Sequence, residues 1–196
     1  MTDIVERFAA AMARLPQAPD PGVTLVVAVS GGADSMALWD MLVRVGSWPL
    51  IVWHLNHGLR PDAEQDLSTI RAHHQQLTAA GFAAGTLVAE HTDVAALARQ
   101  WHDSLEAAGR RQRYTRLVAM AQEHRAVGVL TAHHRDDQAE TVLANLLRGA
   151  GPMGRAGIPP RRILTGKIAL FRPLLEISRS DLRAYGQSHG VPWRED

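Results

Sequence analysis

The chain has no cysteine, and this absence excludes several kinds of chemistry at once. Disulfides, thiolate metal sites, iron–sulfur clusters and cysteine nucleophiles all require that side chain. Long apolar runs are missing too, since none approaches the roughly 18 residues that a membrane helix needs. The first residues, MTDIVERFAA, carry acids where a signal peptide would carry bases. Together these features predict a soluble, cytoplasmic protein without a membrane segment.

Lysine is almost absent as well, because Lys167 is the only one in the chain. A Walker phosphate loop ends in Gly-Lys-Ser or Gly-Lys-Thr, so this sequence contains no such loop. An uncharged run rich in β-branched residues, 24–29, leads instead into two glycines and a helical pattern. Glycines allow a tight turn close to a ligand, and a helix start offers free N–H groups to an anion. We therefore predict a phosphate-binding loop made of Ser30, Gly31, Gly32, Ala33, Asp34 and Ser35; the alternative is a turn capped by Asp or Ser.

Charge is distributed unevenly along the chain. Residues 1–100 hold six arginines and ten acids, whereas residues 101–196 hold fourteen arginines, one lysine and ten acids. No acid occurs between Glu140 and Glu176. The basic residues of that interval are Arg148, Arg155, Arg161, Arg162, Lys167 and Arg172. Such a stretch suits a phosphate backbone or an anionic substrate, and a solvated surface is the alternative.

Strand and helix patterns alternate along the sequence. Helices are predicted at 4–15, 34–45, 62–80, 94–124 with a break near 102–104, 136–147 and 178–189. Strands are predicted at 24–29, 50–55, 85–89, 127–132 and 168–171, with a loop at 149–154 and an irregular segment at 157–162. This alternation predicts an α/β fold of three layers, in which a mostly parallel, twisted sheet of about five strands carries helices on both faces. A single domain over 1–196 is expected from the length.

Ligands of such sheets bind beyond the carboxyl ends of the strands, so three polar loops should meet there. They are the loop at 30–35, the segment 56–60 and the turn at 133–140. In the last of these, Asp136 is predicted to cap a helix on which Asp137 and Glu140 share a face. Two carboxylates beside His134 could bind Mg²⁺, hold an ammonium group or accept protons. The alternative is a pair of first-turn acids favoured by the helix dipole.

A further polar stripe is predicted on the helix that follows the break. Glu106, Arg110, Arg113 and Tyr114 recur at intervals of three and four residues, which places them on one side of a helix. The functional interpretation is a set of anion-binding groups. The alternative is a surface ion pair between Glu106 and Arg110, worth a few tenths of a kcal/mol, on an amphipathic helix.

The loop SGGADS resembles the SGGxDS signature of the PP-loop ATP pyrophosphatases, and the full order of motifs resembles the tRNA(Ile)-lysidine synthases. The matching segments are SGGADS at 30–35, NHGLR at 56–60, EAAGRRQRY at 106–114, AHHRDDQAET at 132–141, RGAGP at 148–152 and RPLL at 172–175. Gly109 stands where that family usually has alanine. The resemblance spans nearly the whole chain, and the combination is far more specific than the loop alone.

The resemblance implies a reaction in which ATP adenylates the C2 oxygen of the wobble cytidine of a CAU-anticodon tRNA(Ile). The ε-amine of L-lysine then displaces AMP. Residues 30–35 would bind ATP, with Mg²⁺ beside Asp34. Asp137 and Glu140 would bind or deprotonate lysine, and the other catalytic groups would be Asp34, His134, Arg110 and Arg113. Substrate contacts are expected from Asn56, His57, Arg60 and Arg148.

Full-length members of that family carry further C-terminal domains that hold the tRNA, and the chain ends inside a family motif. A catalytic-domain fragment is therefore expected. Two other functions remain open at this point. One is a PP-loop synthetase of the NAD or GMP synthetase kind, which acts on a small nucleotide. The other is a non-catalytic module that binds an adenine nucleotide. PP-loop thiolases need cysteines or iron–sulfur clusters, which this chain lacks.

Overall fold

A computed structural model describes residues 3–59, 63–149 and 156–195. The helices in these ranges are α1 (Ile4–Arg14), α2 (Ala33–Val45), α3 (Ala63–Ala79), α4 (Val94–Trp101), α5 (Leu105–Glu123), α6 (Arg135–Leu147) and α7 (Arg179–Ser188). The strands are β1 (Leu25–Ala28), β2 (Leu50–Asn56), β3 (Thr86–His91), β4 (Gly128–Leu130), β5 (Arg161–Thr165) and β6 (Ile168–Phe171). Arg60 and residues 150–154 of the predicted loop at 149–154 lie outside the described residues. Within these ranges, no helix is both long and apolar enough to cross a membrane.

The strands form one sheet in the order β3-β2-β1-β4-β6-β5. All neighbouring pairs are parallel except β5 and β6, which are antiparallel. The strand order changes direction at β1, because β2 lies on one side of it and β4 on the other. The prediction of a mostly parallel sheet with helices on both faces is confirmed, although the sheet has one strand more than expected.

The additional strand is β5, which occupies part of the segment predicted to be irregular. It pairs with β6 in a hairpin, and Arg161 lies opposite Phe171. None of its five residues is fully buried, and its first two are arginines. Because an edge strand buries little surface, its sequence lacks the apolar run that reveals a central strand.

Two hydrophobic clusters lie on opposite faces of the sheet. Val27 and Val52 point into the larger cluster, which helices α1, α2, α3 and α7 cover. Val26 and Trp53 point into the other cluster, which α5 covers with residues such as Leu117. This alternation is the period-two pattern of strands buried on both faces. It produces the three layers that the sequence predicts.

The long helical pattern after β3 is interrupted where it was expected to be. His102 adopts a left-handed conformation with φ of 55° and ends α4. Ser104 then caps α5 by accepting a hydrogen bond from the backbone N–H of Ala107 at 3.1 Å. Since the break turns the chain before α5 begins, α5 can cross the face of the sheet beside β1 and β4.

A buried polar group joins three of the helices on the larger cluster. The carboxylate of Asp40 in α2 accepts hydrogen bonds from Arg44 Nε at 2.5 Å and from the hydroxyl of Tyr185 in α7. Its second oxygen lies 3.2 Å from Nε2 of His73 in α3. These contacts fix α7 against the helix that follows the phosphate-binding loop, so the first turn of α7 lies beside the loop.

Candidate active site

A cleft of about 770 Å³ opens at the carboxyl ends of β1, β2 and β4. Its volume lies within the range of small-molecule sites. All three predicted polar loops contribute to its walls through the residues that the structure describes. Arg110, Arg113 and Tyr114 of α5 form one side, and Arg179, Arg183 and Arg194 approach from the other.

The phosphate-binding loop is held in shape by its two serines. The Ser35 hydroxyl donates to the carbonyl of Gly32 at 3.0 Å and accepts from the backbone N–H of Ser30 at 3.1 Å. Gly32 is the N-cap of α2 and offers no side-chain acceptor, so the predicted alternative of an Asp or Ser cap is wrong. The first N–H groups of α2 are therefore available to an anion, where the positive end of the helix dipole also favours negative charge.

Glycine is required at the first turn of this loop. Gly31 has a φ of 97°, and a Cβ there would lie 3.1 Å from the Cβ of Asp66 in α3. The carbonyl of Gly31 also accepts a hydrogen bond from the N–H of Arg194 at 3.0 Å. The loop is thus enclosed by α3 and by the segment after α7, and a side chain at this position would move it.

Asp34 lies in the first turn of α2 and lines the cleft. Its Oδ2 atom is 3.4 Å from Nε2 of His134, whereas Oδ1 is buried and has no hydrogen-bond partner among the described residues. A buried carboxylate oxygen without a partner is costly unless a cation or a donor satisfies it. The described residues contain no group of three or more metal-ligating side chains. One carboxylate beside a phosphate site nevertheless fits Mg²⁺, which is usually held by few protein ligands and by substrate phosphates.

His134 is the N-cap of α6, so the prediction that Asp136 caps this helix is wrong. Nδ1 of His134 accepts from the N–H of Asp137 at 3.3 Å, and the Asp137 carboxylate accepts from the N–H of His134 at 2.8 Å. This is a reciprocal capping box with an imidazole in the usual place of a hydroxyl. The carboxylate of Asp136 accepts instead from the N–H of Arg179 at 2.9 Å, and this bond ties the start of α7 to the same turn.

The side chain of His134 is only 1% exposed and stands behind the cleft wall, between the carboxylates of Asp34 and Asp137. Burial opposes its protonation, but the hydrogen bond to Asp34 and the negative charge of Asp137 raise its pKa above the ordinary value. Nε2 lies 3.4 Å from the Asp34 carboxylate and 3.3 Å from Nε of Arg179, so it donates to Asp34 when it carries a proton and accepts from Arg179 when it does not. His134 therefore links the phosphate-binding loop to the acidic turn after β4, and its predicted catalytic role stays a prediction.

Of the two adjacent histidines, His133, which the sequence analysis did not select, is the one that lines the cleft. Its Nδ1 atom is 2.9 Å from the hydroxyl of Thr131. Burial and the nearby charge of Arg172 lower the pKa of His133 to about 4, so its ring is neutral at neutral pH. Two adjacent histidines after a strand give no sequence signal for which of them points outwards.

The two acids of the α6 turn are placed differently. Asp137 lines the cleft, whereas Glu140 is exposed and is not part of the cleft wall. Three residues advance a helix by about 4.5 Å, which carries Glu140 away from the strand ends. Asp137 is therefore the carboxylate of this turn that a ligand inside the cleft would meet.

The segment after β2 lines the cleft through Asn56 and His57. The side-chain oxygen of Asn56 accepts from the N–H of Gly58 at 2.9 Å, so this residue shapes the turn. Burial and then the charge of Arg113 lower the pKa of His57, whose Nδ1 atom has no partner among the described residues. Both side chains line the cleft, and the turn at Asn56 and Gly58 sets their position there.

Arg148 lies away from these groups. It is exposed at the end of α6, where Nε donates to the carbonyl of Ala144 at 3.1 Å. Since α6 begins at the cleft and has 13 residues, its far end is about 20 Å from the cleft. Arg148 satisfies the end of its own helix and is not part of the cleft wall.

Three arginines that line the cleft were missed by the sequence analysis. Arg179 Nε is 3.3 Å from Nε2 of His134, and Arg194 Nε is 3.5 Å from a carboxylate oxygen of Asp66. Arg183 lies one turn after Arg179 and pairs with Glu195 at 2.7 Å. The sequence predicts the helix that carries two of them. The packing of that helix on α2 is a tertiary feature, so no local pattern places it against the loop.

The family model described as PP-loop domain matches residues 3–196 of the sequence. The chain belongs to the PP-loop domain family. The tRNA(Ile)-lysidine synthase of Deinococcus deserti is 42% identical to this PP-loop domain over 181 residues, which are 92% of this chain and 31% of that protein. The enzyme of the same name from Thermus thermophilus is 43% identical over 176 residues, covering 90% of this chain and 32% of that protein. The chain thus spans about a third of the length of the curated relatives that it matches.

Solved structures of the same fold include more distant proteins. The U34-tRNA thiolase NcsA from Methanococcus maripaludis superposes with a TM-score of 0.77 at 15% identity, over 98% of this chain and 66% of that one. An NH3-dependent NAD synthetase from Campylobacter jejuni superposes with a TM-score of 0.56 at 15% identity, over 96% and 72%. At such low identity these likenesses establish the fold of the PP-loop domain and nothing about its substrate.

Proposed function

We propose that this PP-loop domain catalyses the ATP-dependent attachment of L-lysine to C2 of the wobble cytidine in a CAU-anticodon tRNA(Ile). The observation that carries the proposal is that the phosphate-binding loop and Asp137 share one cleft, joined by the contacts of His134. Within this cleft the loop suits a polyphosphate, and Asp137 offers a carboxylate to an ammonium group. The names of the relatives support this substrate pair. A tRNA-modifying role also agrees with the predicted cytoplasmic location.

In the first step, the C2 oxygen of the cytidine attacks the α-phosphorus of ATP, and pyrophosphate leaves with the electrons of the broken P–O bond. The N–H groups at the start of α2 and the Ser30 hydroxyl would hold the departing phosphates, while the Ser35 hydroxyl, which already donates to Gly32, would keep the loop in shape. Mg²⁺ beside Asp34 would supply positive charge that neutralises pyrophosphate. Preorganised donors of this kind stabilise the transition state without any reorganisation during the reaction.

In the second step, the lysine ε-amine attacks C2, and AMP leaves with the oxygen that it had captured. The ammonium group must lose a proton before the amine can attack. Asp137 is the carboxylate of the α6 turn that lines the cleft, and it would bind the ammonium group and accept that proton. Arg110 and Arg113 line the same cleft and would compensate the phosphate of the adenylate. Glu140 would meet lysine only at the rim, and its predicted role stays a prediction.

The roles of Asn56, His57, Arg60 and Arg148 in substrate binding also stay predictions. Asn56 and His57 are placed to contact a ligand, Arg60 is not described, and Arg148 would reach only a ligand that extends well beyond the cleft. The single catalytic domain over 1–196 is likewise a prediction.

The test combines the chain with Mg²⁺-ATP, CAU-anticodon tRNA(Ile) and labelled lysine. Label in the tRNA and release of pyrophosphate that depends on both substrates are expected. Asp137→Asn should lose label incorporation, whereas Asp136→Asn should keep it, because an asparagine oxygen can still accept from Arg179. Pyrophosphate release with ammonia and a small nucleotide would favour the synthetase alternative. ATP binding without any turnover would favour the non-catalytic module.

A further inference from the structure

Two guanidinium groups lie against the ring of Tyr114 at the mouth of the cleft. The Cζ atom of Arg110 is 5.2 Å from the ring centroid, and that of Arg162 is 4.9 Å away. Both distances are within the range of a cation–π contact. Tyr114 and Arg110 line the cleft, whereas Arg162 comes from β5 and is not part of the cleft wall. The positive charge is therefore continuous from inside the cleft to the surface beside it.

Arg113 completes this basic surface, which we define as Arg110, Arg113 and Arg162 around Tyr114. A fourth arginine, Arg172, is buried behind them and donates to the carbonyl of Pro159 at 2.6 Å. Burial lowers the pKa of Arg172, and the charges of Arg162 and Arg110 act in the same direction. Within 3–59, 63–149 and 156–195, no acid forms an ion pair with any of these four arginines. Crowded guanidinium groups without acidic partners are typical of a surface that binds an external anion.

The register of the β5–β6 hairpin decides which basic residues belong to this surface. Arg162 pairs with Leu170 near the carboxyl end of β6, which is the edge of the sheet where the cleft opens. Thr165 pairs with Ile168, so Lys167 lies in the turn at the opposite edge. The basic stretch that the sequence presents as one stripe is therefore divided between two edges of the sheet.

We propose that this basic surface binds the phosphate backbone of the RNA next to the nucleotide that enters the cleft. The pyrophosphate part of ATP is already provided for by the loop at the start of α2, the helix that packs on the other face of the sheet. An anion that contacts both Arg110 inside the cleft and Arg162 outside it spans the ring of Tyr114, and successive phosphates of a nucleic-acid backbone can do so. The planar fork of arginine fits phosphate, and the ring of Tyr114 holds the two guanidinium groups in place. The inference rests on the proposed function only in taking RNA as the polyanion.

The experiment compares Arg162→Gln with Lys167→Gln, two exposed basic residues of one hairpin at opposite edges of the sheet. Binding of a labelled CAU-anticodon stem–loop RNA is followed by fluorescence anisotropy at several salt concentrations. The slope of log K against log salt is negative, and each lost phosphate contact decreases its magnitude by about 0.7 to 0.9. That decrease and a several-fold weaker affinity are expected for Arg162→Gln, and no change is expected for Lys167→Gln. Both variants should bind Mg²⁺-ATP as the unsubstituted chain does.

A stem–loop with a different anticodon should show the same decrease in slope, because phosphate contacts carry no sequence information. The inference is overturned if Arg162→Gln keeps the original slope, if Lys167→Gln loses as much, or if the unsubstituted chain binds no RNA at low salt. Failure of the proposed function gives a different result. Lysine would then not be incorporated, while RNA binding would still depend on Arg162.

Discussion

Nε2 of His134 lies 3.4 Å from a carboxylate oxygen of Asp34, although the two residues belong to loops that follow different strands. On its other side, His134 faces Asp137 at 3.5 Å. The histidine is thus a buried connection between the residue beside the phosphate-binding loop and the carboxylate proposed to hold lysine. Its protonation state should affect how firmly the two loops are joined.

A first prediction concerns the pH dependence of this connection. The pKa of His134 is raised in the folded state, so its stabilising effect is complete below the unfolded pKa of about 6.5 and is lost as the pH rises through the folded value. Asparagine is a good N-cap residue without the charge, so His134→Asn keeps the start of α6. The free energy of unfolding is measured with urea for the unsubstituted chain and for His134→Asn. The difference between the two chains should be larger at pH 5.5 than at pH 9. An equal or larger difference at pH 9 would contradict the assignment.

His133 should behave in the opposite way. Burial and the charge of Arg172 lower its pKa to about 4, so its ring stays neutral from pH 5 to pH 8. NMR titration of the histidine ring protons should show one resonance with a midpoint near pH 4, and this resonance should disappear in His133→Gln. A midpoint above pH 6 for that resonance would show that the arginines beside the cleft do not act on His133 as described.

The contrast between these neighbours shows how far a sequence can define a site. The SGGADS loop, the strands with their β-branched runs and the capped helices are local patterns, and the structure contains each of them. Which of two adjacent histidines faces the cleft depends on how the turn after β4 is capped, and that is settled by contacts with α2. The arginines of α7 are missed for the same reason, because the packing of α7 on α2 depends on Asp40 and Tyr185 across 145 residues of sequence.

A third prediction tests that packing. The hydroxyl of Tyr185 is buried and donates to the ionised carboxylate of Asp40, which also accepts from Arg44. Removing a donor to a charged group leaves part of a buried charge unsatisfied, which costs about 1.5–3 kcal/mol. Tyr185→Phe should therefore lower the free energy of unfolding by that amount without changing the urea m-value. A Tyr185→Phe variant with the same free energy of unfolding as the unsubstituted chain would contradict this account of the packing.

A final prediction separates two costs of replacing a glycine. Gly31 and Gly81 both have positive φ, 97° and 83°, but only at Gly31 would a Cβ meet another residue. Gly81→Ala should destabilise the chain by about 1–3 kcal/mol, the cost of backbone strain, and leave the affinity for Mg²⁺-ATP unchanged. Gly31→Ala adds a close contact with Asp66 at 3.1 Å, and that contact has to be relieved by moving the loop or the start of α3. Gly31→Ala should therefore weaken the binding of Mg²⁺-ATP, measured by titration calorimetry, whereas Gly81→Ala, which has backbone strain but no close contact, should not. Equal affinities for the two variants would mean that the loop tolerates the displacement and that close packing against α3 does not set its shape.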